Sequence, residues 1–153
     1  MKKDKIVYLS MTAELMHIGH LNIIKKASKL GKLIISINSD DNVAKYKDRP
    51  VIPTEQRIEI LKNIKGVYKV VRRVDNNIFN WELEIKKYRP DYFVHGTDWK
   101  NKKSPVYKSR LNAIEMLKKY GGKLIEFEYT KEISTTEIKK RIIDKWKNKE
   151  MIK

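Results

Sequence analysis

A chain of 153 residues with 41% hydrophobic content is long enough to bury one sizeable core and fits a single domain, 1–153, better than two. Its 35 Lys and Arg against 19 Asp and Glu give a net charge of +16, which favours anionic partners such as nucleotides, nucleic acid or acidic membrane surfaces without choosing among them. The absence of cysteine excludes disulfides and thiolate metal sites. The opening MKKDKIVYLS has too short an apolar run for a signal peptide, and no apolar stretch approaches a membrane span, so a cytoplasmic location without membrane insertion is expected.

In chain order, KIVYLS (5–10) reads as a strand, short and rich in branched and aromatic residues, and HLNIIKKASKL (20–30) as an amphipathic helix. LIISIN (33–38) is the second strand, TEQRIEILKNI (54–64) the second helix and YKVVRR (68–73) the third strand. NIFNWELEIKKY (77–88), DYFVHG (91–96), SRLNAIEMLKKY (109–120) and KLIEFEY (123–129) continue the alternation of helix and strand. A last helix runs from about Ser134 to Trp146, and the segment from about 143 to 153 reads as a solvated, frayed tail. Gly31, Gly121 and Gly122 follow helical runs where a left-handed cap favours glycine, and Thr54 stands where a first-turn cap would.

Strand alternating with helix five times implies an α/β fold, a Rossmann-like parallel five-stranded sheet with helices on both faces. Ligands of such sheets bind beyond the carboxyl ends of the strands, where the strand order reverses. His17 and His20 follow the first strand, Asp40 the second, and His95, Gly96 and Asp98 the fourth, so the chemically capable residues gather at one sheet edge.

In MTAELMHIGHLNII, Gly19 lets the backbone pass close to a ligand, and the helix beginning near His20 offers free N–H groups and a positive dipole end to an anion. A phosphate is the natural guest, with two imidazoles flanking it as hydrogen-bond donors. ISTTEIKKRI supplies a second helix start, in which Ser134, Thr135 and Thr136 precede Lys139; it reads either as an ordinary Ser/Thr cap or as another phosphate cradle.

HIGH after the first strand, HGTDW after the fourth and ISTT before the last helix together resemble the nucleotidyltransferases that include glycerol-3-phosphate cytidylyltransferase, of the HxGH type. The resemblance runs from KIVYLS to about Ile142. Within that family MTAELMHIGHLNIIKKASKLG, RPVIPTEQR, IKGVYKVV, PDYFVHGTDWK and GGKLIEFEYTKEISTTEI look most like the phosphoenolpyruvate mutase-associated cytidylyltransferases, which act on phosphonates such as 2-aminoethylphosphonate.

The resemblance implies roles by position. His17 and His20 match the histidines that contact the nucleotide phosphates and stabilise the transition state, and Thr12 matches the hydroxyl of the loop before them. Lys47 matches a mobile-loop lysine that reaches the phosphates and the acceptor, with Lys45 as its substitute if the loop aligns differently. Arg57 matches the arginine of the family's EQR segment. Gly96 and Asp98 belong to the motif that holds the ribose or base region, and Thr130, Ser134 and Thr135 to the final motif, with Lys139 as a further phosphate contact. All of them should face one cleft. The implied reaction is in-line attack of an anionic acceptor oxygen on the α-phosphorus of CTP, with Mg²⁺ as cofactor and no general base. Three histidines without cysteine do not form a structural zinc site, and the protein ligand of the Mg²⁺ is not assigned. Relatives are commonly homodimers.

The chain departs from the glycerol-3-phosphate pattern at Tyr129, where an arginine is usual, at Glu132, where a glycine is usual, and at Thr97 and Glu14, where aspartate is frequent. Trp81, Trp146, Tyr8 and Tyr92 read as core or interface residues; Trp99 either lines the nucleotide pocket or braces its loop. Other acceptors of the same chemistry, phosphocholine and glycerol 3-phosphate, remain open, as does adenylyl transfer. A nucleic-acid-binding module is the alternative of a different class. The basic residues alternate with Glu along most helices and read mainly as a solvated surface, so nucleic acid is not expected as the main partner.

Overall fold

The computed structural model describes residues 4–150. The chain forms β1 (Ile6–Met11), α1 (Ile18–Ser28), β2 (Lys32–Ile37), α2 (Asp40–Ala44), α3 (Thr54–Lys62), β3 (Val67–Arg72), α4 (Glu82–Tyr88), β4 (Tyr92–Gly96), a 3₁₀ turn (Thr97–Lys100), α5 (Tyr107–Tyr120), β5 (Lys123–Phe127) and α6 (Thr135–Glu150). All strand pairs are parallel and the order is β3-β2-β1-β4-β5, so the order reverses between β1 and β4. This is the expected Rossmann-like α/β sheet.

Alternation along the strands sorts the core into two faces. Val7, Leu9, Leu33, Ile35, Ile37 and Val94 pack with Ile24 and Ala27 of α1 and Ile58 and Leu61 of α3. Tyr8, Ile34 and Phe93 point the other way, onto Trp81, Ile85 of α4 and Ala113, Met116 and Leu117 of α5. Each fully buried aliphatic side chain of this kind contributes about 1.5–3 kcal/mol.

The five strands and the principal helices lie where periodicity places them, and the differences have local causes. The helix expected from 77 begins only at Glu82, because three side chains compete for the backbone: Phe79 N–H donates to Asn77 Oδ1 (3.0 Å), Asn77 N–H to Asp75 Oδ1 (2.8 Å) and Glu82 N–H to Asn80 Oδ1 (3.1 Å). The five-residue α2, capped by Ser39, and the 3₁₀ turn are too short to show a period. Thr54 is the first residue of α3 and not a side-chain cap; its hydroxyl accepts from Asp40 N–H at 2.9 Å, and Asp40 Oδ2 accepts from Thr54 N–H at 3.3 Å, stapling α3 to α2.

The expected frayed tail is helical as far as Glu150, consistent with the cations Lys147 and Lys149 in the last turn, where the helix dipole favours them. It is solvated: from Lys140 to Lys149 every side chain is exposed. Residues 151–153 of that tail lie outside the described residues. Trp146, expected in the core or at an interface, is 66% exposed on this helix and so lies outside the core. Glu132, one of the departures from the glycerol-3-phosphate pattern, adopts φ +63°, a left-handed conformation that costs a non-glycine residue about 1–2 kcal/mol. Glu132→Gly is therefore expected to raise stability by about 1 kcal/mol, read as a higher urea midpoint; an unchanged midpoint would show that the surrounding loop relieves the strain.

Candidate active site

A cavity of about 690 Å³ opens along the carboxyl ends of the strands at the β1/β4 reversal. It brings together Thr12, His17, Gly19, His20, Lys47, Gly96, Asp98, Thr130, Ser134, Thr135 and Lys139. Eleven of the thirteen residues given a binding or catalytic role in the sequence reading thus share one wall system, and two, Arg57 and Lys45, do not.

The two histidines are built into the start of α1. His17 is its N-cap, with Nδ1 accepting from Gly19 N–H at 3.0 Å, and His20 Nδ1 accepts from His17 N–H at 3.3 Å. Each ring therefore uses Nδ1 as an acceptor, so the neutral imidazole carries its proton on Nε2. The rings lie 4.0 Å apart between centroids. Burial pushes the His20 pKa down to about 4, helped by His17 and by the Lys47 ammonium, and burial lowers that of His17. Both are neutral N–H donors at pH 7. Gly19 has no space for a side chain, since a Cβ there would stand 2.8 Å from His17 Cε1.

The low His20 pKa has a direct consequence for stability. The unfolded chain, with histidine near its ordinary 6.5, binds a proton more readily than the folded one, so this contribution is complete above about pH 6.5 and is lost as pH falls toward 4. Urea midpoints at pH 7 and pH 5 are expected to show a lower value at pH 5 in the wild type and a smaller drop in His20→Asn.

Opposite α1, the hydroxyl and backbone groups of the α6 start face the same space. Ser134 Oγ accepts from Glu137 N–H at 3.1 Å, so Ser134 caps the helix as well as lining the cavity. Thr135 Oγ1 donates to the carbonyl of Glu14 at 2.7 Å, and the Glu14 carboxylate accepts from Val51 N–H (2.8 Å) and Ile52 N–H (3.3 Å). Glu14 lies between Ala13 (φ +55°) and Leu15 (φ +45°), a strained turn held by these ties. Thr130 Oγ1 accepts from Asn22 Nδ2 at 3.2 Å, joining the final motif to α1.

Arg57 is not a cavity residue. Its side chain is fully buried and donates to the carbonyls of Thr12, Ile52 (2.9 Å) and Asn38 (3.1 Å), to Thr54 Oγ1 (3.1 Å) and to Asp40 Oδ1 (2.6 Å). It braces the loops after β1 and β2, and so does not face the cleft as expected. Asp40 belongs to that brace. Between the two loop lysines the structure is equally definite: Lys45 Nζ is turned to Asn42 Oδ1 (3.0 Å) and the carbonyl of Asn76 (2.7 Å), whereas Lys47 lines the cavity.

Arg73 is a cavity residue the sequence reading passed over, and His95 and Trp99, placed near the site in the sequence, take definite positions here. Arg73 Cζ stands over Trp81, 3.7 Å from the ring centroid, with Nη2 held by the carbonyls of Asn77 (3.0 Å) and Asn80 (2.6 Å) and the Glu84 carboxylate 3.7 Å from Nε. It lines the cavity together with Ile78, Val106 and Ser109. His95 stacks on Trp99 with centroids 3.7 Å apart and interplanar angle 6°, and its Nδ1 lies 2.9 Å from the carbonyl of Gly96. Burial lowers its pKa, so this imidazole too is neutral, and its Nδ1–H donates to that carbonyl. Trp99 lines the pocket and braces its loop at once, being 1% exposed with its indole N–H donated to Glu126 at 2.6 Å. For Arg73, the doubled arginine ending a strand (VVRR) was the available signal.

Comparison with known proteins agrees with this geometry. The family model described as Cytidylyltransferase-like matches residues 12–141. The chain is similar to the bifunctional protein HldE of Hahella chejuensis (30% identical, 91% of this chain, 28% of that protein) and to the ethanolamine-phosphate cytidylyltransferase of Arabidopsis thaliana (28%, 93% and 33%). It is also similar to the FAD synthase of Archaeoglobus profundus, at 31% identity over 87% of this chain and 83% of that one. The chain spans about a third or less of the first two relatives. A crystal structure of the lipopolysaccharide core biosynthesis protein from Thermoplasma volcanium shares the fold, with a TM-score of 0.65 at 17% identity over 86% of this chain and 100% of that one.

Proposed function

This chain belongs to the cytidylyltransferase-like family, and we propose on that premise that it transfers CMP from CTP to a small phosphonate or phosphate acceptor, with 2-aminoethylphosphonate as the first choice. The observation that carries the reading is the pair of neutral histidines, each fixed by a backbone N–H on Nδ1 so that Nε2–H is free for a phosphoryl oxygen, at a helix N-terminus in one cavity with Lys47. An acceptor oxygen attacks the α-phosphorus; the new O–P bond forms as the bond to the β-phosphate oxygen breaks, and pyrophosphate leaves with the electron pair. His17 and His20 donate to oxygens that gain charge, and Lys47 offsets the repulsion between the two anions. The α6 start, with Ser134 and Thr135, receives the triphosphate, Lys139 adds a cation, and Gly96 and Asp98 hold the ribose and base.

Among the described residues no three His, Asp or Glu side chains converge as a metal cage. The reading includes Mg²⁺ carried by the triphosphate oxygens and water, where it would neutralise charge on the leaving group. No described helix is long and apolar enough to cross a membrane. The likeness to an ethanolamine-phosphate cytidylyltransferase supports an aminoethyl acceptor, because ethanolamine phosphate differs from 2-aminoethylphosphonate by one bridging oxygen.

The test is pyrophosphate release with Mg²⁺ and CTP or ATP, offered 2-aminoethylphosphonate, ethanolamine phosphate, phosphocholine and glycerol 3-phosphate in turn. Turnover with CTP and 2-aminoethylphosphonate above the rest is expected. A preference for ethanolamine phosphate would keep the mechanism and change the acceptor, a preference for ATP would change the nucleotide, and failure of every pairing together with no CTP binding would remove the reading.

A further inference from the structure

Glu126 lies near the end of β5 and has no site role among those assigned above, yet three cationic or N–H side chains converge on its carboxylate. Trp99 Nε1 donates to Oε1 at 2.6 Å, Arg110 Nε donates to Oε1 at 2.8 Å and Arg110 Nη2 to Oε2 at 3.2 Å, and Lys100 Nζ stands 3.1 Å from Oε2. Its side chain is 12% exposed. The carboxylate thus ties β5 to the 3₁₀ turn and to α5, and these partners hold its pKa down at about 2 in spite of partial burial.

What this anchors is the recognition side of the cavity. Trp99 is the last fixed ring beneath His95, and it is parallel to Phe93 behind it at 6.2 Å and 3°. His95, Gly96 and Asp98 precede it within four residues and all line the cavity. The turn is tight: a Cβ on Gly96 would stand 2.6 Å from Asp98 Oδ1. A shift of the Trp99 indole therefore moves His95 through the ring stack and Asp98 through the chain, while His17, His20 and Lys47 sit on other elements.

We propose that Glu126 is a positioning residue for substrate recognition: by fixing the Trp99 indole it sets the placement of Asp98 and His95, and so governs nucleotide affinity separately from the phosphoryl-transfer step. This rests on the CTP reading above. Losing contacts that are made equally in ground and transition states raises KM with kcat unchanged, and displacement of a positioned group by about 1 Å costs up to about a hundredfold.

The experiment compares Glu126→Ala, Glu126→Gln and Arg110→Ala with the wild type in CTP turnover. Glu126→Ala is expected to raise KM for CTP about ten- to a hundredfold with kcat within about twofold. Glu126→Gln keeps an oxygen for the indole and should recover most of that loss. Arg110→Ala removes the other main tie of the same carboxylate, so it should lower Tm but leave KM within about twofold. An unchanged KM in Glu126→Ala, or an equal rise in Arg110→Ala, would overturn the assignment and make Glu126 an ordinary stabilising ion pair. Should the wild type turn over no CTP, that result counts against the proposed function alone, and Glu126 is then read by ¹H–¹⁵N NMR of soluble Glu126→Gln and Glu126→Ala. The Trp99 indole resonance and the Gly96 and Asp98 amides are expected to move together in the alanine variant; amides that stay in place would overturn the proposal.

Discussion

His17→Ala is expected to lower turnover about 10²- to 10³-fold, the usual loss when one aligned donor to a developing oxyanion is removed, and to lower stability by about 1 kcal/mol because His17 is also the N-cap of α1. The two effects are separable. His17→Asn restores a side-chain acceptor for Gly19 N–H but places no Nε2–H in the cavity, so it should recover stability and not turnover. His20→Ala should lose turnover to a similar extent, since His20 Nδ1 and Nε2 are arranged in the same way. Steady-state kinetics of the three variants beside their urea midpoints would check this; full turnover in folded His17→Asn would take the imidazole out of the mechanism.

Arg57→Ala is expected to act through the fold. It removes five hydrogen bonds from a fully buried guanidinium and leaves the carbonyls of Thr12 and Asn38 and the Asp40 carboxylate without that partner. Breaking a buried ion pair from one side costs about 3–5 kcal/mol, a large share of the about 5–15 kcal/mol of a whole domain, so the variant should unfold at a temperature lower by about 10 °C. Arg57→Lys keeps the charge but lacks the fork that serves several acceptors at once, and should fall between the two. Thermal unfolding decides the matter: a variant with unchanged Tm and a raised KM for CTP would return Arg57 to the nucleotide site.

Arg57 also shows why the sequence reading stopped where it did. A guanidinium offers the same donors to phosphate oxygens and to backbone carbonyls, so an arginine in a ligand-binding motif reads identically whether it touches the ligand or the loops around it. Lys45 and Lys47 posed a similar problem, being two residues apart in a segment with no period; only the turn after α2 decides which ammonium enters the cavity. The sheet, by contrast, was legible because β1, β2 and β4 alternate between two apolar faces, and the histidines because they follow the first strand at a glycine. Glu126 was invisible for the opposite reason. Its partners Trp99, Lys100 and Arg110 come from two distant stretches that nothing in the linear pattern joins.

The all-parallel sheet has one practical consequence. Every strand enters from the edge opposite the cavity, and β1, six residues long at about 3.3 Å per residue, separates its first residue from the Thr12 loop by about 20 Å. A fluorescent label carried on Lys5, the exposed residue just before β1, therefore stands on the far side of the molecule, and immobilisation through it turns the cavity outward.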